Sequence, residues 1–262
     1  VHTSLLTAVC AGAHYVITTH VQAEPLMREI EEFQATIVGA VPTIYGFMAK
    51  SPARGSVDLT CVRVAFHGGA PVSPHQVKSY MEVFPRAEII NVYGQTESGN
   101  PGTCLPGKFA ISKAGSIGPR GIPGVKTRIV DDESRDITFP GVGELLLQSK
   151  ATMVGYYRNE EATRETVDED GWLHSGDVGE LDEHGYLTIT DRKKDIIVTS
   201  GGKNIAPQPI EQRIKQNPLV SEAILIGDRR SFPAALIIPN FVELRARLGR
   251  AGATLVPNGV AC

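Results

Sequence analysis

Short apolar runs alternate with helical patterns from residue 14 to residue 92, and this alternation limits the possible folds more than any other feature. Strands that alternate with helices form crossover connections, which produce a mostly parallel sheet covered by helices. The predicted strands are 14–17, 36–41, 61–66 and 88–92, and the predicted helices between them are 24–34, 42–50 and 73–83. We therefore predict an α/β fold with a mostly parallel sheet for residues 1–114.

The pattern changes after residue 114, where glycine, proline and aspartate interrupt shorter apolar runs. Such punctuation is typical of β structure, so residues 115–190 are predicted to form a distorted β-barrel region with one helix near 159–166. The charged segment 191–195 then separates a large domain, 1–190, from a partial small α+β domain, 191–262. The elements predicted in that small domain are strands 196–198, 223–226 and 234–238 and helices 208–216 and 240–248.

Composition sets broad limits on the partners and the compartment of the protein. The 262 residues are 42% hydrophobic and carry a net charge of −3, which gives no support for a nucleic-acid partner. No uncharged apolar run approaches the ~20 residues that span a bilayer, so no transmembrane segment is predicted and peripheral membrane association stays open. Four widely spaced cysteines form no metal-ligand pair. Reduced thiols in a cytoplasmic protein are the simplest explanation, although four cysteines also pair in secreted proteins.

Two glycine-rich loops fail the tests for familiar nucleotide-binding motifs. Thr199–Lys203 ends in Gly-Lys, but Ile197 and Asn204 replace the glycine and the hydroxyl residue of a Walker loop. Gly115–Gly121 is followed by Pro123 and contains Pro119, which excludes the helix that a dinucleotide fold requires. Neither loop alone indicates a nucleotide-binding class.

A stronger signal follows the strand predicted at 88–92, because ligands of α/β sheets bind beyond the carboxyl ends of strands. Asn91–Glu97 offers an aromatic ring, a hydroxyl and a carboxylate, which could stack a base, contact a phosphate and bind Mg²⁺. His67–Pro71 also ends a strand and offers backbone polar groups to a flat ligand. Asp177 stands among glycines, where a carboxylate can accept two hydrogen bonds from ribose hydroxyls. Polar loops and an ordinary turn residue are the alternatives.

The segment 191–211, DRKKDIIVTSGGKNIAPQPIE, combines several local signals. Three cations stand between two carboxylates, and a short apolar strand follows them. Gly201 and Gly202 then form a turn whose backbone can approach a ligand closely, and Pro207 and Pro209 open a helix. Taken alone, the segment is equally compatible with a strand, turn and helix that carry solvated charges.

Together these motifs resemble the adenylate-forming acyl-CoA synthetase superfamily of AMP-binding enzymes. The matching segments are VPTIYGFMAKS at 41–51, HGGAPVS at 67–73, YGQTE at 93–97, GELLLQ at 143–148, GWLHSGDVG at 171–179 and the segment 191–211. The last of them is most similar to fatty-acid-CoA ligases. The resemblance implies an acid-thiol ligase that activates a carboxylic acid, in the first place a fatty acid, with ATP and Mg²⁺. The acyl-adenylate would then pass to the thiol of CoA.

The resemblance also implies roles for individual residues. Tyr93 would stack on adenine, Asp177 would accept the ribose hydroxyls, and Thr96 would contact the α-phosphate. The expected nucleotide-binding residues are Gly68, Gly69, Ala70, Asn91, Tyr93, Gly94, Asp177 and Arg192. The residues expected to take part in the reaction are Thr96, Glu97, which would bind Mg²⁺, Arg192, and Lys194, the hinge between the domains. Gly201 and Gly202 would line the passage for CoA.

Two departures from the family pattern qualify this expectation. The sequence contains no Ser/Thr/Gly-rich loop ending in Pro-Lys-Gly, and no lysine follows Lys215, where the family has its adenylation lysine. We therefore expect a chain truncated at both ends, with little or no adenylation activity of its own. An amino-acid adenylation domain and a non-catalytic nucleotide-binding module are the alternatives. Residues 1–15 lack the aspartate that would bind an amino-acid substrate, which favours a different acid.

Overall fold

The structure is a computed structural model that describes residues 2–99, 101–138 and 140–250. Its N-terminal part contains a four-stranded sheet whose strands lie side by side in sequence order. The first three strands pair in parallel and the fourth pairs antiparallel with the third, which confirms the predicted, mostly parallel sheet. These strands are β1 (Ile37–Ala40), β2 (Val64–His67), β3 (Glu88–Tyr93) and β4 (Thr103–Leu105).

Helices connect these strands close to the predicted bounds. Helix α1 (His2–Cys10), which was not predicted, and helix α2 (Ala23–Glu32) precede β1, whereas α3 (Pro42–Lys50) connects β1 to β2 and α4 (Pro74–Val83) connects β2 to β3. The strand predicted at 14–17 is wrong, since these residues are irregular and Ile17 is 74% exposed. A short apolar run forms a stable strand only beside paired neighbours, and no described strand pairs with this one.

Three aromatic side chains form the centre of the core beneath this sheet. Tyr45, Tyr80 and Phe84 are fully buried, and the ring of Tyr45 meets the other two edge to face at 5.4 and 5.2 Å. Each buried hydroxyl has a partner, because Tyr45 donates to the carbonyls of Val38 and Phe66 and Tyr80 donates to that of Pro42. Burial raises the pKa of Tyr80 to about 12, so the hydroxyl stays protonated as a donor.

Helix α4 begins with a capping box directly after the 67–73 loop. The Ser73 hydroxyl accepts the backbone N–H of Gln76 at 3.3 Å, and the Gln76 side chain accepts the N–H of Ser73 at 2.8 Å. We expect Ser73→Ala to lower the free energy of unfolding by about 1 kcal/mol, because these N–H groups have no partner within the helix. Urea denaturation measures this loss. Ser79→Ala, which removes a hydroxyl from the middle of the same helix, serves as the control and should leave the free energy of unfolding unchanged. Equal losses in both variants would contradict the capping role.

A curled five-stranded sheet follows, which confirms the predicted change to β structure. The strand order is β5–β9–β8–β7–β6, and an irregular register in β7 and β8 lies between Glu144 and Leu146. The buried residues Leu145, Leu147 and Leu173 form its core. The elements are β5 (Ser116–Gly118), β6 (Val125–Val130), β7 (Gly141–Ser149), helix α5 (Glu160–Thr166), β8 (Leu173–Leu181) and β9 (Leu187–Arg192).

The described residues divide after Ile189 into two compact units. The second unit is a small α+β arrangement with two antiparallel strand pairs, β10–β11 and β12–β13, and the Glu211 side chain accepts the N–H of Leu225 at 2.6 Å. Its elements are β10 (Ile197–Val198), β11 (Asn204–Ile205), α6 (Pro207–Lys215), β12 (Val220–Ile226), β13 (Ala234–Pro239) and α7 (Phe241–Arg250). Among the described helices of both units, none is long and apolar enough to cross a bilayer.

Candidate functional site

The carboxyl ends of β2 and β3 lie side by side, with His67 opposite Asn91 in the register. The two loops that follow these strands therefore start next to each other. Gly68 makes this approach possible, because a Cβ atom at this position would lie 2.4 Å from the backbone oxygen of Val92. The parallel sheet thus brings together the motifs at 67–73 and 93–97, as expected for a site at this edge.

A hydrogen-bond network joins the end of β3 to β8 of the second sheet. The Tyr93 hydroxyl donates to Oδ2 of Asp177 at 2.5 Å, and Nε2 of Gln95 donates to the same oxygen at 3.0 Å. Gln95 also donates to the carbonyl of Ser175 at 2.7 Å. Asp177 is only 4% exposed, and these donors fix the orientation of its carboxylate. Tyr93 and Asp177, which separate sequence motifs predict to bind the same nucleotide, are therefore in direct contact.

The residues after Gln95 form a tight turn that ends at Gly99. The buried Ser98 hydroxyl accepts the N–H of Gln95 at 3.1 Å and donates to its carbonyl at 2.8 Å. The N–H of Gly99 donates to the carbonyl of Thr96 at 3.1 Å. Within this turn Thr96 is exposed and Glu97 is half-buried, so a ligand can reach both side chains.

Glu97 is held by a segment that the sequence analysis did not single out. The N–H of Met153 donates to the Glu97 carbonyl at 2.8 Å, and the Tyr156 hydroxyl donates to Oε1 of Glu97 at 2.9 Å. Partial burial, and then the bond to Glu97, raise the pKa of Tyr156. No spacing rule indicated this contact, because 59 residues separate its two partners.

Asn91 and His67 are buried beneath the loops. Nδ2 of Asn91 donates to the carbonyl of Ser116 at 2.8 Å, and the Ser116 hydroxyl donates to the carbonyl of Leu187 at 2.7 Å. Asn91 therefore links the first sheet to β5. The imidazole of His67 is 1% exposed, and its burial lowers the pKa to about 4, so the ring is neutral at neutral pH. Nδ1 of His67 has no hydrogen-bond partner among the described residues.

The predicted residues Arg192, Lys194, Gly201 and Gly202 belong to the second unit, whereas Gly69, Ala70 and Gly94 lie in the loops after β2 and β3 of the first. Lys194 lies in a short 3₁₀ turn, Lys193–Asp195, that follows β9. The preceding Asp191 is buried, and its carboxylate accepts the N–H groups of Arg192 at 2.7 Å and Gln208 at 3.3 Å. Burial raises the pKa of this carboxyl. Asp191 thus connects the predicted hinge to the first turn of α6.

Gly201 and Gly202 lie in a turn that Thr199 closes. The N–H of Gly202 donates to the carbonyl of Thr199 at 2.8 Å, and the Thr199 hydroxyl accepts the N–H of Lys203 at 3.1 Å. A Cβ atom on either glycine would meet no atom within 4 Å, so both backbones face open space. Gly202 has a φ of +77°, a conformation that favours glycine.

The donor set fits a magnesium ion that is shared with phosphate oxygens. No group of three or more His, Cys, Asp or Glu residues that could hold a metal occurs in the described part of the chain. Mg²⁺ is usually bound through one or two carboxylates and keeps waters and substrate phosphates as its other ligands. Glu97 would supply one such carboxylate, since one of its oxygens accepts the Tyr156 hydroxyl and the other has no partner among the described residues.

Comparison with known proteins identifies the family. A model described as AMP-binding enzyme matches residues 1–157, and one described as AMP-binding enzyme C-terminal domain matches residues 194–247. The chain therefore belongs to the AMP-binding enzyme family.

Its relatives include named ligases. The long-chain-fatty-acid–CoA ligase FadD15 of Mycobacterium tuberculosis is 41% identical over 185 residues, which cover 70% of this chain and 28% of the relative. The fatty acid–[acyl-carrier-protein] ligase ScoC of Streptomyces coeruleorubidus is 34% identical over 219 residues, 83% of this chain and 42% of the relative. The chain thus spans less than half the length of these relatives.

Solved structures show the same architecture. O-succinylbenzoate CoA synthetase (MenE) of Bacillus subtilis, in complex with ATP and a magnesium ion, has a TM-score of 0.80 and 26% identity. That match covers 91% of this chain and 49% of the other. A fatty acyl CoA synthetase of Mycobacterium tuberculosis has a TM-score of 0.65 and 33% identity, covering 90% of this chain and 47% of the other.

Proposed function

We propose that the protein takes part in the ATP-dependent activation of a carboxylic acid, with a fatty acid as the preferred substrate. A carboxylate oxygen of the acid attacks the α-phosphorus of ATP, pyrophosphate leaves, and an acyl-adenylate forms. The thiol of CoA then attacks the acyl carbonyl carbon, and AMP leaves with the former carboxylate oxygen. This makes the parent activity that of an acid-thiol ligase.

The contact between Tyr93 and Asp177 is the observation that carries this proposal. Its oriented carboxylate lies at the carboxyl end of a mostly parallel sheet, beside the close glycine approach at Gly68. A carboxylate suits a pair of ribose hydroxyls, and the ring of Tyr93 suits the face of adenine. Both groups are held by one hydrogen bond, so they meet a nucleoside as a preorganised pair.

The other site residues have roles in binding the nucleotide and CoA and in the hinge. Gly68, Gly69 and Ala70 border the adenine, with Asn91 and Gly94 supporting the loop that carries Tyr93. Thr96 contacts the α-phosphate through its exposed hydroxyl. Arg192 reaches the ribose and phosphate, Lys194 is the hinge residue, and Gly201 and Gly202 leave room for the pantetheine arm of CoA.

Magnesium has a defined place in this proposal. Glu97 would hold the ion, which neutralises phosphate charge when it is bound. The protein's own part is to present one carboxylate oxygen toward the phosphates and to keep that carboxylate in place. Two hydrogen bonds reach Glu97 from the segment near Met153, one to its backbone carbonyl and one to its carboxylate.

The choice of substrate and acceptor rests on the relatives. FadD15 is named for a long-chain fatty acid and CoA, whereas ScoC is named for a fatty acid and an acyl-carrier protein. Fatty acids are common to both names, and the solved MenE structure also belongs to a CoA synthetase. We therefore propose CoA as the acceptor thiol.

The free cysteines support a cytoplasmic location. Cys61 and Cys104 are free and partly buried, and burial raises the pKa of both thiols, which keeps them protonated and unreactive. Such thiols persist in a reducing compartment. We propose the cytoplasm on this ground.

Nucleotide binding by the 262-residue chain provides the test. AMP at 100 times its dissociation constant should raise the unfolding midpoint by about 5–10 °C, since binding to the folded state alone stabilises it. ATP–pyrophosphate exchange with a panel of fatty acids should be weak or absent, because the sequence has no Pro-Lys-Gly phosphate loop. Robust exchange would contradict the proposed inactivity of this chain. Failure to bind AMP would refute the assignment of the site.

A further inference from the structure

The segment from Ala151 to Tyr156 supports the turn that carries Glu97 through its backbone. The N–H of Met153 donates to the Glu97 carbonyl at 2.8 Å. On the other side of the turn, a Cβ atom on Gly99 would lie 2.0 Å from the carbonyl oxygen of Ala151, so the two backbones are in close contact. The turn that carries Glu97 therefore meets this one segment at two points, Glu97 and Gly99.

Tyr156 extends this support to the side chain. Its hydroxyl donates to Oε1 of Glu97 at 2.9 Å. The backbone of Tyr156 is itself anchored at the start of α5, because its N–H donates to Oγ1 of Thr163 at 2.9 Å and its carbonyl accepts the N–H of Asn159 at 3.2 Å. The backbone that carries this hydroxyl is therefore fixed by two hydrogen bonds.

One carboxylate oxygen of Glu97 is bound by this hydroxyl, and the other has no partner among the described residues. We infer that Tyr156 is a positioning residue, which orients the Glu97 carboxylate so that its Oε2 atom points toward the magnesium ion of a bound Mg²⁺–nucleotide. The inference rests on the proposed function. Without the hydroxyl, the carboxylate would rotate about its last torsion, and the metal would meet a less ordered ligand.

A purely stabilising hydrogen bond is the competing explanation, and the two make different predictions. A stabilising bond affects the folded state as a whole, so its loss changes the unfolding midpoint and leaves the need for magnesium unchanged. A positioning bond affects the step that involves the metal. Binding of AMP, which lacks the β- and γ-phosphates, should therefore be insensitive to the loss.

Tyr156→Phe removes only the hydroxyl, and the neighbouring Tyr157 offers a matched control. Tyr157 is 86% exposed, and its ring lies 5.1 Å from the guanidinium of Arg158, a contact that phenylalanine retains. Calorimetric titration of the full chain with ATP, repeated over a series of Mg²⁺ concentrations, gives the Mg²⁺ concentration for half-maximal affinity. We expect Tyr156→Phe to raise that concentration about 10-fold, the scale of one hydrogen bond to a charged group. Tyr157→Phe should match the unchanged protein, and both variants should bind AMP in EDTA with unchanged affinity.

Each other result counts against the inference in a distinct way. An unchanged Mg²⁺ requirement in Tyr156→Phe, with normal ATP binding by the unchanged protein, would refute the positioning role and leave the proposed function standing. A parallel loss of AMP affinity, or an unfolding midpoint lowered by more than about 5 °C, would assign the hydroxyl to stability instead. An unchanged protein that binds neither nucleotide would refute the proposed function and this inference together.

Discussion

Asp177→Ala is expected to raise the dissociation constant for AMP about 100-fold, which is the largest effect on binding that the site predicts. The substitution removes the proposed acceptor for two ribose hydroxyls, and each hydrogen bond to a charged group contributes about 1.5 kcal/mol. It also leaves the Tyr93 hydroxyl and Nε2 of Gln95 without the oxygen that now orders them. The ring of Tyr93 would then lose its fixed position beside the base. Isothermal titration with AMP measures the change.

Glu180→Ala provides the matched control for this experiment. Glu180 is an exposed carboxylate on the same strand, three positions beyond Asp177. Its loss changes the net charge equally, so any long-range electrostatic effect on the phosphate appears in both variants. An Asp177→Ala protein that binds AMP as tightly as the Glu180→Ala protein would rule out the ribose contact.

The second large effect is expected from Gly99→Ala, which should lower the unfolding midpoint by roughly 5–15 °C. Gly99 has a φ of +78°, and a Cβ atom there would lie 2.0 Å from the carbonyl oxygen of Ala151. Backbone strain and overpacking each cost about 1–3 kcal/mol, and their sum of about 2–6 kcal/mol corresponds to this shift in a chain of this size. Differential scanning calorimetry measures it. The turn that carries Glu97 would move as well, so the Mg²⁺ concentration for half-maximal ATP affinity should rise in the same variant.

Gly46→Ala separates this strain from a general effect of added methyl groups. Gly46 lies within α3, and a Cβ atom there would meet no atom within 4 Å. Alanine at such a helical position should raise stability by about 0.5–1 kcal/mol, because it restricts the unfolded chain. If both alanines changed the midpoint alike, the close approach at Gly99 would have no energetic significance.

The elements that were predicted best from the sequence are those whose ends carry a local signal. Helix α3 has its predicted bounds because Pro42 occupies its first position, and α4 and α5 start directly after the capping residues Ser73 and Asn159. The failed strand at 14–17 had the right residue types but no strand beside it. Pairing is a tertiary property, so a run of four residues cannot reveal it.

The candidate site was predictable in its parts and not in its contacts. Tyr93 and Asp177 each lay in a recognisable motif, yet their 2.5 Å hydrogen bond depends on how two sheets pack. Gln95 stood inside the same motif as Tyr93, and only the structure shows that its amide binds both Ser175 and Asp177. Tyr156 had no signal of its own, because an aromatic residue before a helix is usually a packing residue. Long-range side-chain contacts of this kind are invisible to local patterns.

The close approach at Gly68 has a consequence for how such a chain can evolve. A side chain at Gly39 would collide with the ring of Phe66, 2.1 Å away, and a smaller residue at 66 could relieve that collision. At Gly68 the obstacle is the main-chain oxygen of Val92, which every amino acid carries. No second substitution at position 92 can remove that oxygen, so a change at Gly68 cannot be compensated by a paired mutation. A change at Gly39 can be compensated by one at Phe66.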